Sequence, residues 1–314
     1  MIHKLSGIII CLFAILLFTN GISKKSAIEK EKPMISFSFD DGSIDDYRIL
    51  SNTQWNRKLL ENLNKNNLQA ILFVKGINLN NVRGKEIMQQ WNDAGHFIGN
   101  HTYHHPYFSS DKVSLDSMKQ ELKKTDSLIN VYSNHVNIFR FPYLSEGNTT
   151  AKRDGFRDFL DAKAYKNGHV TIDASDWYIN SRLIKALKGD KEVNLEAYKE
   201  FYIKHLFERA LFYDSLATEL NGRKIKHTIL LHHNLVAALF LDELIQHFRE
   251  NGWQPINYKE AISDPIYKYK PETLPAGQSL IWAMAKESGR FDSILRYPGE
   301  DSRYEKKKMD RLGL

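Results

Sequence analysis

Five short polar clusters in this 314-residue sequence hold side chains whose types and spacing suit hydrolytic chemistry. They are Asp40-Asp41-Gly42, His101-Thr102-Tyr103-His104-His105, Arg140-Phe141-Pro142-Tyr143, Asp173-Ala174-Ser175-Asp176-Trp177 and His232-His233-Asn234. His101 and His105 stand four apart, a spacing that on one helical turn aims both imidazoles the same way. His104 is the alternative partner, at a spacing of three. Two neutral imidazoles and a carboxylate would hold a divalent cation and leave positions open for water and substrate, as a catalytic site requires. Asp40 and Asp41 would repel each other side by side, so one is expected to bind the cation while the other stays free as a base. Arg140 is the candidate to aim that base. His232, supported by a carboxylate such as Asp176, is the candidate acid for a leaving group. Two histidines and one carboxylate also describe the facial triad of non-haem iron oxygenases.

Each cluster follows an apolar run. Met34–Phe39, Ala70–Val74, His96–Ile98, Val136–Phe139, Val170–Ile172 and Thr228–Leu231 read as strands. Helical text lies between them at Gln54–Leu63, at Lys85–Ala94 with Gly95 as its cap, and at Val113–Tyr132; another stretch, Phe240–Phe248, follows the last strand. Strands separated by helices imply a parallel sheet, open or closed into a barrel, whose strand C-termini converge on one face. That order disfavours the β-sandwich scaffolds of the iron oxygenases. Between Trp177 and Lys226, Leu195, Tyr198, Tyr202, Leu206, Ala210 and Tyr213 recur at helical spacing, predicting an amphipathic helix whose stripe is core contact. Beyond Ser263 the alternation stops, and Pro265, Pro271 and Pro275 punctuate a tail with a short helix near Leu280–Lys286.

Composition supports a packed globular chain, with 42% hydrophobic and 12% aromatic residues. The formal charge of +6 owes much to lysines near the ends, such as Lys24, Lys25 and Lys306–Lys308. No basic run interleaved with aromatics is present, so nucleic acid is not an expected partner. Near the N-terminus Lys4 precedes an apolar run from Gly7 to Phe18 and then Gly21-Ile22-Ser23, the layout of a secretory signal peptide over residues 1–23. The run is short for a membrane span, which takes about 20 residues, so a membrane enters only if this segment stays uncleaved. Cys11, the single cysteine, lies inside it. The remaining chain therefore has no thiolate, and any metal must be held by nitrogen and oxygen.

Ser38-Phe39-Asp40-Asp41-Gly42, His101-Thr102-x-x-His105, Arg140-Phe141-Pro142-Tyr143, Asp173-x-x-Asp176-Trp177 and Leu230-Leu231-His232 resemble the five ordered motifs of the NodB-homology polysaccharide deacetylases, carbohydrate esterase family four. The resemblance runs from about Met34 to Tyr258. It implies an α/β fold, a distorted and incomplete (β/α) barrel over residues 24–262, with a helical insertion at 178–226 and a C-terminal extension at 263–314. It implies removal of N- or O-linked acetyl groups from a carbohydrate, with a divalent metal, zinc first and cobalt or nickel as alternatives, held by Asp41, His101 and His105. Asp40 would be the base that deprotonates the attacking water and His232 the acid. Arg140 would position Asp40, and Asp176 would tune His232. The Tyr143 backbone N–H would stabilise the oxyanion, and Trp177 and Leu230 would wall the acetyl methyl. Two departures stand out: Ser38 where Thr is frequent, and His233 where an acidic residue is frequent. A non-catalytic carbohydrate-binding relative is the alternative, although such relatives typically lose the base or the acid and this chain has both.

Overall fold

Strands covered on both faces must be apolar throughout, and the strands nearest the chemistry are. All four side chains of Ile71–Val74 are buried, and Met34–Asp41 and Lys226–His232 bury all but their end residues. The computed structural model describes residues 31–314; the expected leader at 1–23, with Cys11, and Lys24 and Lys25 lie outside the described residues.

In chain order the elements begin β1 (Met34–Asp41), α1 (Asn52–Lys65), β2 (Ile71–Val74), α2 (Gly76–Leu79), α3 (Val82–Asp93) and β3 (Phe97–Asn100). Next come α4 (Leu115–Ile129), β4 (His135–Phe139), β5 (Ser145–Gly147), α5 (Thr150–Ala162), β6 (Lys166–Asn167), α6 (Asp176–Leu187) and α7 (Leu195–Asn221). The chain closes with β7 (Lys226–His232), α8 (Leu235–Glu250), β8 (Gln254–Pro255), α9 (Tyr258–Ala261), β9 (Ala276–Gly277), α10 (Leu280–Ser288) and α11 (Ser302–Leu312). The main sheet is parallel in the order β6-β4-β3-β2-β1-β7, with β8 added to the start of β1. It curls into a half-barrel, the fold that the motifs led one to expect.

One expected strand does not form as a ladder. Val170–Ile172 makes only an isolated bridge, Ile172 to Ile229. The Thr228 carbonyl accepts from both the Thr171 and Ile172 N–H groups, which breaks the alternation that a regular ladder needs. The segment thus spans the gap between the edges β6 and β7 without closing the barrel.

The main core packs Phe37, Phe39, Leu72, Ile229 and Leu231 of the sheet against Trp55, Trp91, Leu244 and Phe248 of the helices, all at most 2% exposed. The predicted stripe of α7 does bury Tyr198, Tyr202, Leu206, Ala210 and Tyr213, but Phe201, His205, Arg209, Leu216 and Ala217 are buried as well. A second covered face explains this: α7 meets α6 and α8 and also α10 from the tail. The tail is further tied in by the pairing of β9 with β5 and by the Leu280 N–H donating to the Val170 carbonyl at 2.8 Å.

Candidate active site

Strand register brings the first two clusters and the last together. Asp40 and Asp41 end β1, with Asp40 opposite Phe73 on one side and His232 on the other. At Asp41 the backbone leaves the strand with φ 77°, which turns its carboxylate toward the loop after β3. That loop carries His101 and His105.

The two imidazoles meet, but not as one helical turn. Residues 101–105 form a loop in which Thr102 (φ 65°) and His105 (φ 61°) are left-handed. The Thr102 side chain accepts from the His105 N–H at 3.1 Å and fixes the bend. The two Nε2 atoms lie 3.2 Å apart, and Asp41 Oδ1 lies 3.8 Å from His101 Nε2 and 3.6 Å from His105 Nε2. His104 points away and bonds Glu121 through Nδ1 at 2.8 Å. His101 Nδ1 faces the Arg140 carbonyl at 2.8 Å; a carbonyl only accepts, so Nδ1 carries the proton and Nε2 presents a lone pair. Burial first, and His101 beside it, push the His105 imidazole down to about 3, so it too stays neutral.

A divalent cation fits these three residues. A tetrahedral ion with bonds of about 2.0–2.1 Å sets its donors roughly 3.3 Å apart, close to the spacings seen here. Asp41 Oδ1 is buried and has no hydrogen-bond partner, which a protein seldom tolerates without a ligand to satisfy it. Burial alone would raise the Asp41 carboxyl, but His232, His101, His105 and Lys75 outweigh it and hold it below its ordinary value.

Asp40 stands beside this group and makes different contacts. Its Oδ2 is 3.6 Å from His101 Nε2, while Oδ1 accepts from Arg140 Nη1 at 2.6 Å. Arg140 is fully buried and anchored by Nε donating to the Gly168 carbonyl, by Nη1 donating to Ser38, and by the Phe73 ring 3.9 Å beneath its guanidinium. Ser38 is therefore a working contact: its hydroxyl shares Nη1 with Asp40. On the other flank, His232 Nδ1 lies 2.7 Å from Asp176 Oδ1, and the His232 N–H donates to Asp176 Oδ2 at 2.8 Å. Burial alone would lower the His232 imidazole, yet Asp176 prevails and raises it to about 9. Asn234 donates to the same Asp176 oxygen and also caps α8 at the Ala237 N–H, so the helix start orients the pair.

Tyr143 and Leu144 are left-handed (φ 56° and 50°), and the Tyr143 ring packs 4.5 Å from the His105 ring. Asp41, Thr102, His105, Tyr143 and Leu144 make up five of the eight non-glycine residues with positive φ among the described residues. Each such position costs about 1–3 kcal/mol, and their concentration here marks a site held against local preference. Trp177 opens α6 next to Asp176 and is 40% exposed, whereas Leu230 is buried on β7 two residues before His232.

A family model described as polysaccharide deacetylase matches residues 27–158, which include the first three clusters. The chain belongs to the polysaccharide deacetylase family. A peptidoglycan-N-acetylglucosamine deacetylase of Bacillus cereus is 30% identical over 113 residues, 36% of this chain and 37% of that protein. A chitin deacetylase of Arthroderma benhamiae is 22% identical over 237 residues, 74% of this chain. The matched stretches thus span 37% and 52% of these two relatives' lengths. In fold, the chain is similar to the chitin deacetylase structure from Colletotrichum lindemuthianum, with TM-score 0.52, 18% identity and coverage of 79% of this chain and 94% of that one.

Relative to the family motifs, three features of this polysaccharide deacetylase chain have no local signal in the sequence. His233 does not crowd His232: it is buried against Trp55 and Trp91, accepts at Nδ1 from the Ser43 N–H, and faces the Asn56 side chain. Asp173 is buried in a network with Glu300 of the tail, and burial raises both carboxyls. His205, Glu300 and Glu305 also bring donor atoms close together. Arg209 lies 2.6 Å from Glu300 and Arg296 lies 3.2 Å from Glu305, so two guanidiniums already neutralise that trio and would repel a cation. The Ser175 hydroxyl donates to Glu305 at 2.8 Å, which ties the tail to the Asp173–Trp177 cluster. No periodicity in the sequence signals a partner 130 residues away.

Proposed function

We propose that this chain is a metal-dependent hydrolase that removes N- or O-linked acetyl groups from a carbohydrate polymer or oligosaccharide. The observation that carries the reading is the meeting of Asp41, His101 and His105 beside a separate carboxylate, Asp40, clamped by Arg140. Asp41, His101 and His105 would hold the divalent cation, zinc first and cobalt or nickel as alternatives; when bound it supplies Lewis-acid charge that acidifies water and polarises the acetyl carbonyl.

The protein's own groups have separable tasks. Asp40 has Oδ1 committed to Arg140, so Oδ2 takes the proton of the attacking water. As the water oxygen bonds to the acetyl carbon, the Tyr143 N–H donates to the developing oxyanion. His232 has Nδ1 committed to Asp176, so Nε2 gives its proton to the departing amine or alcohol as the acyl bond breaks, leaving acetate and the deacetylated sugar. Trp177 and Leu230 are assigned to the wall around the acetyl methyl. We take residues 24–262 as the catalytic domain, with an insertion at 178–226 and an extension at 263–314. The named relatives act on peptidoglycan and chitin, which fits an exported enzyme carrying the leader at 1–23. Among the described residues no helix is long and apolar enough to cross a membrane.

Acetate release from N-acetylglucosamine oligomers, de-N-acetylated controls and acetylated xylan, with and without chelator, tests the proposal. Release from at least one acetylated glycan, abolished by chelator and restored by zinc, is expected. Binding of these glycans without release would replace the hydrolase by a carbohydrate-binding protein, and release indifferent to chelator would remove the metal.

A further inference from the structure

Of the five aromatic side chains exposed among the described residues, two line the rim that starts at the candidate metal group. Tyr143 is 59% and Tyr107 48% exposed; the Tyr143 ring lies 4.5 Å from His105 and 5.7 Å from Tyr107. A third, Tyr297, is 51% exposed and comes from the tail. Two tethers hold that part of the tail against the site. The pairing of β9 with β5, extended by the Gln278 N–H donating to the Leu144 carbonyl at 2.8 Å, fixes it beside Tyr143. Gln278 Oε1 in turn accepts from the Gly299 N–H, and Gly299 sits against Asp173, in the cluster whose Asp176 holds His232. Tyr297, two residues before Gly299, rests on Trp282 at 5.6 Å. Partial burial first, and the nearby Tyr107 phenol second, raise its hydroxyl, so the two rings share one rim.

We infer that Tyr107 and Tyr297, with the ring of Tyr143, form a sugar-stacking platform that holds a further unit of a β-linked N-acetylglucosamine chain beside the unit being deacetylated. The chemistry of the rings selects this occupant. Each presents an apolar face and a polar hydroxyl, matching the apolar C–H face and hydroxyl edge of a pyranose. The rings continue outward from the candidate catalytic group, as a polymer leaving it would. Neither Tyr107 nor Tyr297 has a role in the proton transfers above. The inference rests on the hydrolase reading for its kinetic readout only.

The test uses Tyr107→Ala and Tyr297→Ala in the full zinc-loaded chain, with the N-acetylglucosamine tetramer and 4-nitrophenyl acetate as substrates. Removing one stacking ring should raise KM for the tetramer about tenfold in each variant. Turnover of the small ester, which cannot reach the platform, should stay at the wild-type level and shows that each variant is folded. Tetramer and ester kinetics changing together, or neither changing, would overturn the platform. Calorimetric titration of the tetramer into Asp40→Asn, with and without Tyr297→Ala, reads binding independently of turnover. A Kd weakened about tenfold by the added substitution upholds the platform even if the wild type releases no acetate, which would sink only the hydrolase reading. Equal Kd values, or no tetramer binding at all, would refute it.

Discussion

Replacing Asp176 by asparagine should move the alkaline limit of activity instead of removing activity at every pH. Asp176 raises the His232 imidazole to about 9 against the pull of burial. Compared with an ordinary histidine near 6.5, this is a preference of about 3 kcal/mol for the charged ring. An acid must be protonated to act, so wild-type activity should persist on the acid side and fall as pH rises through about 9. Without the carboxylate charge, burial acts unopposed and the ring drops to 6.5 or below. At about pH 8 the protonated fraction then falls from roughly nine-tenths to about 3%, a loss of at least roughly thirtyfold. Near pH 5.5 most of that loss should return. Stability carries the same sign: the contribution of the pair is complete below about pH 6.5 and is lost as pH rises through about 9. The assay is kcat/KM for acetate release between about pH 5 and 10 at fixed zinc, with near-ultraviolet circular dichroism to confirm the fold. Parallel alkaline limbs, or a loss by one factor at every pH, would refute the reasoning.

Asp40→Asn should lower kcat by roughly 10²- to 10⁴-fold while metal content, read by mass spectrometry, stays at the wild-type level. Arg140→Met leaves the Asp40 carboxylate buried and unpaired, and denaturant unfolding should show a loss of about 3–5 kcal/mol. Gly277→Ala forces a Cβ into the Leu144 carbonyl at φ 124°, so the β9–β5 pairing should loosen; a lowered Tm and faster proteolysis of the tail are the expected readouts.

The parallel fold is legible because buried strands announce themselves as unbroken apolar runs, as at Ile71–Val74 and Thr228–Leu231. Val170–Ile172 has the same look but no ladder, since hydrogen bonding to one shared carbonyl is invisible in hydropathy. Side-chain clusters at strand ends are readable for a similar reason: residue type survives where conformation is unknown. The spacing of His101 and His105 points to a helical turn, yet two left-handed residues bring positions four apart together as well as a helix does. Which of His104 and His105 faces Asp41 likewise depends on backbone angles and on Glu121, 17 residues away. The second buried face of α7 and the tail contacts to Ser175 and Asp173 are long-range ion pairs and caps with no local periodicity to reveal them.

Metal stoichiometry tests the central claim most directly. Purified protein loaded with zinc and dialysed should retain one ion per chain, Asp41→Ala and His105→Ala should retain almost none, and His104→Ala should match the wild type. Retention lost in His104→Ala but kept in His105→Ala, or no ion held by the wild type, would contradict the account.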